Sequence, residues 1–93
     1  MGRPFFAMPL FGYILRSTST GAYYVGQTRN LDDRLRRHNE ERSHATKGRG
    51  PWELVYQIEF ATRSEAVIWE RSTKAHKSRA YIDALIEGRS AHM

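Results

Sequence analysis

The chain has 93 residues, 15 Lys and Arg against 10 Asp and Glu, a formal net charge of +5 and a sequence pI near 10.0. This length makes one domain that buries roughly 60–65% of the surface its unfolded state exposes, and the spread positive charge favours an anionic partner, nucleic acid first. The lack of cysteine excludes disulfides and thiolate metal sites, and no apolar run approaches the roughly 20 residues of a membrane span or the layout of a signal peptide. Cytoplasmic residence is the default expectation.

Residues 1–10 read as an irregular arm, 11–88 as a single domain and 89–93 as a tail. β-branched and aromatic runs at 11–16 and 22–27, separated by Ser17, Thr18, Ser19, Thr20 and Gly21, predict a β-hairpin. If Tyr13 stands opposite Tyr24, Ser17 faces Thr20, but the turn residues suit either a two-residue turn or a glycine bulge and leave the register open. Gly26 lies two residues after Tyr24 on the same face, and its missing side chain leaves room for a bulky neighbour.

Asn30 offers an N-cap, with Asp32 and Asp33 facing the positive end of a helix that runs to about residue 41. A polar, basic loop follows at 42–51. Alternation in WELVYQIEF predicts a strand with Trp52, Leu54, Tyr56, Ile58 and Phe60 on a buried face and Glu53, Val55, Gln57 and Glu59 on a mostly wet one. Thr62 and Glu65 have capping-box spacing and open a helix to about Lys74. Ser78 can cap a last helix, which stops at Gly88. The order β-β-α-β-α-α predicts an α+β fold, a small three-stranded, mostly antiparallel sheet flanked by helices.

Several polar residues fall where the helical pattern turns inward. At about 100° per residue, Leu31 and Leu35 define the buried stripe of the first helix, with Arg34 and His38 at its border and Arg36 and Arg37 in solvent. The bland readings are an arginine stem covering apolar surface and a half-buried histidine bonded to a backbone carbonyl. Ala66, Val67 and Glu70 share one stripe of the second helix, which sets a carboxylate at a core edge, where it wants a cation or an ionic partner. Lys74, at i+4, supplies such a partner as an alternative to a metal.

Phe11–Gly12–Tyr13 and Tyr24–Val25–Gly26, with the tyrosines eleven positions apart, Arg34 ten residues after Tyr24, His38 four later, and Glu70 in the helix after PWELVY, together resemble the GIY-YIG endonuclease superfamily in its small stand-alone bacterial form. The resemblance covers roughly residues 11–86. It implies divalent-metal-dependent hydrolysis of DNA phosphodiesters, non-specific or structure-preferring, and leaves the natural substrate open between a repair intermediate, foreign DNA, a mobile-element target and RNA. It implies Glu70 as ligand of a single Mg²⁺ or Mn²⁺, Arg34 as clamp on the scissile phosphate, and Tyr13 as the group that handles the attacking water. Tyr24 would position water or phosphate, with His38 as the competing proton acceptor. Gly26, Lys47, Arg49 and Lys74 are the expected nucleic-acid contacts. The family's first glycine is displaced here, Phe11 standing two residues before Tyr13, and its late asparagine has no evident counterpart. Two other readings stand beside the enzyme: an inactive nucleic-acid-binding module of the same fold, and a protein-interaction domain that uses an exposed Trp52 or Trp69.

Overall fold

The computed structural model describes residues 9–40, 47–76 and 79–88. The elements are β1 (Leu10–Ser17), β2 (Tyr23–Thr28), α1 (Leu31–Asn39), β3 (Trp52–Phe60), α2 (Arg63–His76) and α3 (Arg79–Ile86). They form an α+β fold in the expected order. The sheet runs β2-β1-β3 and both pairings are antiparallel. β1 begins at Leu10, inside the expected arm. Residues 1–8, the tail at 89–93, the expected helix end at 41, most of the following loop and the Ser78 cap lie outside the described residues.

Local chemistry sets the helix starts. The Asn30 side chain accepts from the Asp33 N–H at 3.0 Å, and Asp32 and Asp33 occupy the first turn of α1. Thr62 Oγ1 accepts from the Glu65 N–H at 3.2 Å, while the Glu65 carboxylate reaches past Thr62 to the Ala61 N–H, also at 3.2 Å.

Helices cover both faces of the sheet. On one face Tyr13, Leu15 and Trp52 pack with Tyr24, Leu31 and Leu35 under α1; on the other, Ile14, Val25 and Ile82 pack with Tyr56, Trp69 and Leu85 under α2 and α3. This corrects the single buried face expected for β3. A β-bulge between Ile14 and Leu15 pairs Leu15 with Leu54 but Ile14 with Tyr56. The extra residue, Val55, switches the alternation, so Trp52 belongs to the α1 face and Tyr56 to the α2 and α3 face.

The tryptophans are corrected as well. Trp52 is only 4% exposed, and Trp69 is half-buried against Tyr56 and Phe60. Trp52 therefore offers no surface for a protein partner. Gly12 explains the displaced glycine: a Cβ there would lie 2.6 Å from the Trp69 ring, so its absence lets α2 press onto β1.

The hydroxyl-rich turn has a use that its sequence did not disclose. Ser17 Oγ donates to the Arg49 carbonyl and accepts from the Thr20 N–H. Ser19 Oγ donates to the Gly50 carbonyl at 3.0 Å and the Thr18 hydroxyl to the Pro51 carbonyl at 3.2 Å. The turn therefore latches the approach to β3 with short side chains on the carbonyls of Arg49, Gly50 and Pro51, the last of which also accepts from the Thr18 N–H at 2.9 Å.

Candidate active site

The observed register pairs Tyr13 with Gly26 and Leu15 with Tyr24, two residues from the placement that sets the tyrosines opposite each other. A shift of two keeps both on the same face, so they meet diagonally with ring centroids 6.3 Å apart. A Cβ on Gly26 would lie 2.6 Å from the Tyr13 hydroxyl oxygen and 2.7 Å from the ring carbon that bears it. The room at Gly26 is filled by Tyr13 itself, whose phenol lies across β2, the edge strand.

Three further groups gather there. The Tyr13 hydroxyl and His38 Nε2 are 3.2 Å apart, and His38 is only 1% exposed. The Tyr24 ring packs on the His38 ring at 4.7 Å between centroids. His38 thus carries a bond to a phenol, the feature that the bland reading of a carbonyl-bonded histidine did not contain. Arg34, half-buried one turn earlier on α1, acts on the Tyr13 hydroxyl through charge and side-chain hydrogen bonding, and on His38 through charge. Arg36 and Arg37 instead pair with Asp33 at 2.8 and 3.0 Å on the solvent side.

Glu70 approaches from the other face. Its Oε1 accepts from Gln27 Nε2 at 2.9 Å, next to Gly26 on β2, and its Oε2 accepts from Lys74 Nζ at 2.7 Å. It is near enough for its charge to be felt at Tyr13, as the smallest of the influences there. Glu70, Val67, Arg71 and Lys74 line an open cleft of about 250 Å³. Sequence reasoning passed over Gln27. The alternation of β2 places it on the α2 face, but only the packing of α2 shows what it touches.

Electrostatics separates the roles these groups can take. Burial, then the neighbouring Tyr24, pushes the Tyr13 phenol up to about 12 despite Arg34. Burial and the Arg34 charge hold the His38 pKa below 6.5, so the imidazole is neutral at neutral pH. Burial opposes the charge on Glu70, but hydrogen bonds from Lys74 and Gln27 outweigh it and keep the carboxyl below the ordinary range. The site therefore holds a phenol, a neutral imidazole, a guanidinium and an ionised carboxylate.

The expected basic loop lies apart from this cluster. Lys47 and Arg49 are exposed, and the Arg49 carbonyl is held at Ser17, four residues or about 13 Å along β1 from Tyr13.

Residues 10–82 match the sequence model of the GIY-YIG catalytic domain. The chain belongs to the GIY-YIG family. Its curated relatives include the UPF0213 protein BH0048 of Halalkalibacterium halodurans, 36% identical over 75 residues, which are 80% of this chain and 78% of that one. Another is the UPF0213 protein SERP0126 of Staphylococcus epidermidis, 33% identical over 84% of this chain and 95% of the other. The solution structure of BH0048 superposes with a TM-score of 0.56 at 33% identity, over 90% of this chain and 88% of that one. The GIY-YIG family is one of endonuclease catalytic domains, whereas these small bacterial relatives are named only as UPF0213 proteins. Among the described residues no helix is long and apolar enough to cross a membrane.

Proposed function

We propose that this GIY-YIG chain is a divalent-metal-dependent endonuclease that hydrolyses DNA phosphodiesters in the cytoplasm, without base-specific recognition. The observation that carries the reading is the Tyr13 hydroxyl bonded to a neutral, buried His38 beside Arg34. A phenol held near 12 is a poor base by itself at neutral pH. With His38 accepting at Nε2, Tyr13 donates its proton to the imidazole while its oxygen lone pairs accept a proton from the attacking water. The water proton thus passes to the tyrosine oxygen as the tyrosine proton passes to His38, and no free phenolate is needed. Arg34 binds the scissile phosphate and offsets the charge that builds on it. Tyr24, packed on His38, holds the imidazole in place and borders the phosphate.

The donor set fits a hard, hydrated cation. Among the described residues no three His, Cys, Asp or Glu side chains gather to hold a metal, which leaves Glu70, ionised and facing the open cleft. Mg²⁺ keeps several waters and takes one or two carboxylates plus substrate oxygens, so one carboxylate suffices. Bound to Glu70, Mg²⁺ or Mn²⁺ would supply Lewis-acid stabilisation of the phosphate oxygens. Gly26, Lys47, Arg49 and Lys74 are the proposed contacts to the nucleic-acid backbone.

The test is a cleavage assay titrated with Mg²⁺ and Mn²⁺ over single-stranded, duplex and branched DNA. The expected result is metal-dependent nicking that Glu70→Ala abolishes. No cutting on any substrate with either metal overturns the enzyme reading. One observation favours a second reading, an inactive nucleic-acid-binding module: the ion pair with Lys74 accounts for Glu70 with no metal at all. In that case Glu70→Ala leaves salt-sensitive DNA binding unchanged and no substrate is ever cut.

A further inference from the structure

Both oxygens of the Glu70 carboxylate are engaged by side chains of the protein itself, and the two partners differ in how firmly they are held. Gln27 donates from β2, and its own Oε1 faces Arg63 Nη1 at 3.4 Å. That pairing fixes the sense of the amide, because the reverse orientation would set its oxygen against the carboxylate and its NH₂ against a guanidinium. Lys74 is different. Its side chain is 50% exposed against 22% for Glu70, and an ammonium on a flexible four-carbon stem is easily redirected. Exposed ion pairs favour the paired state by a factor of only about 1.4 to 5.

Lys74 also has a second place to go. It lines the Glu70 cleft with Val67 and Arg71, and it lines a neighbouring hollow of about 240 Å³ with Tyr23, Tyr24 and Thr73. A dication at Glu70 would face the ammonium as a like charge a few ångströms away, which drives the head out of the cleft.

We propose that Gln27 is a positioning residue that fixes the Glu70 carboxylate for a divalent cation, and that Lys74 is the placeholder which that cation displaces, its ammonium turning from the carboxylate to a substrate phosphate. The proposal rests on the reading of Glu70 as the metal ligand. It assigns the salt bridge to the metal-free protein and gives Lys74 different partners before and after loading.

The test is Mn²⁺ affinity of the full chain without nucleic acid, at low salt, by electron paramagnetic resonance or calorimetry. Glu70→Gln is expected to remove the binding. Lys74→Met keeps the stem and is expected to tighten Mn²⁺ by about 1.4- to 5-fold, whereas Lys74→Arg retains a competing cation and leaves the affinity near that of the parent. Gln27→Leu is expected to weaken binding by about 10-fold, as loss of a ligand's orienting partner does. If that variant does not fold, the exposed Arg63→Leu tests the same chain of contacts and is expected to weaken binding in the same direction. A purely structural role predicts lost thermal stability for these variants with unchanged metal affinity. Binding that depends on Glu70 but does not tighten in Lys74→Met overturns the placeholder; an unchanged affinity in both Gln27→Leu and Arg63→Leu overturns the positioning role. Mn²⁺ binding that ignores Glu70→Gln overturns this proposal together with the metal site of the proposed function.

Discussion

Tyr13 keeps its proton at neutral pH because burial and Tyr24 hold it up to about 12, so the chemistry at this residue depends on what it touches. Tyr13→Phe retains the ring over Gly26 and removes the hydroxyl; DNA cleavage is expected to fall at least about 100-fold, the low end of general acid–base contributions, with DNA binding little changed in a gel-shift assay. His38 adds a pH signature. Its folded pKa lies below 6.5, so between that folded value and 6.5 the unfolded chain binds the extra proton. Stability is therefore full above about 6.5 and falls as the pH drops from there toward the lowered folded value. Urea midpoints measured from pH 7 downward are expected to decline, and His38→Gln to flatten that limb. Glu70, also depressed, contributes above its ordinary 4.5 and loses that contribution as pH falls through its folded value, a separate and more acid window. Thr73 offers a change of the opposite sign. Among the described residues its buried hydroxyl finds no hydrogen-bond partner, so Thr73→Val is expected to raise stability by about 1 kcal/mol in urea denaturation.

Among the elements, β1 and β2 each carry a glycine that lets a ring approach the sheet closely. Gly12 lies against Trp69 on one face, and across the β1–β2 pair Gly26 lies against Tyr13 on the other, each with room for no Cβ. Gly12→Ala and Gly26→Ala are each expected to cost about 1–3 kcal/mol by overpacking. Only Gly26→Ala should also depress cleavage beyond what its stability loss explains, since it moves the Tyr13 hydroxyl. Elements and caps were legible because hydrophobic period, Asn30 and Thr62 are local signals. The faces of β3 were not. Alternation in WELVYQIEF lapses only at Val55, between Leu54 and Tyr56, and the bulge that redirects the faces there arises from pairing with β1, a contact between residues about 40 apart. The hairpin register was likewise open in the turn residues; it is set by the pairing of Tyr13 with Gly26 and Leu15 with Tyr24, closed by the Ser17 N–H donating to the Ala22 carbonyl at 2.8 Å.

For the whole molecule, two groups of basic residues within the net charge of +5 bear on nucleic-acid binding. One is the cluster of Arg34, Arg71 and Lys74 around the candidate site, the other the loop carrying Lys47 and Arg49. If both regions follow one nucleic-acid backbone, Lys47→Ala with Arg49→Ala removes about two phosphate contacts. The slope of log affinity against log salt for duplex DNA is then expected to become shallower by about 1.8, with the cleaved product unchanged. A slope that does not move assigns the loop to the latch alone.

The sequence by itself determined the element order, the helix caps and a family identity spread over Tyr13, Tyr24, Arg34, His38 and Glu70, because residue type and spacing are properties of the chain. Tertiary structure decided the partners: Tyr13 on His38, Glu70 shared between Gln27 and Lys74, Trp52 and Tyr56 on opposite faces of the sheet. Partnership between side chains 25 or 43 residues apart follows from strand register and helix docking, and both are set by packing that no local pattern encodes.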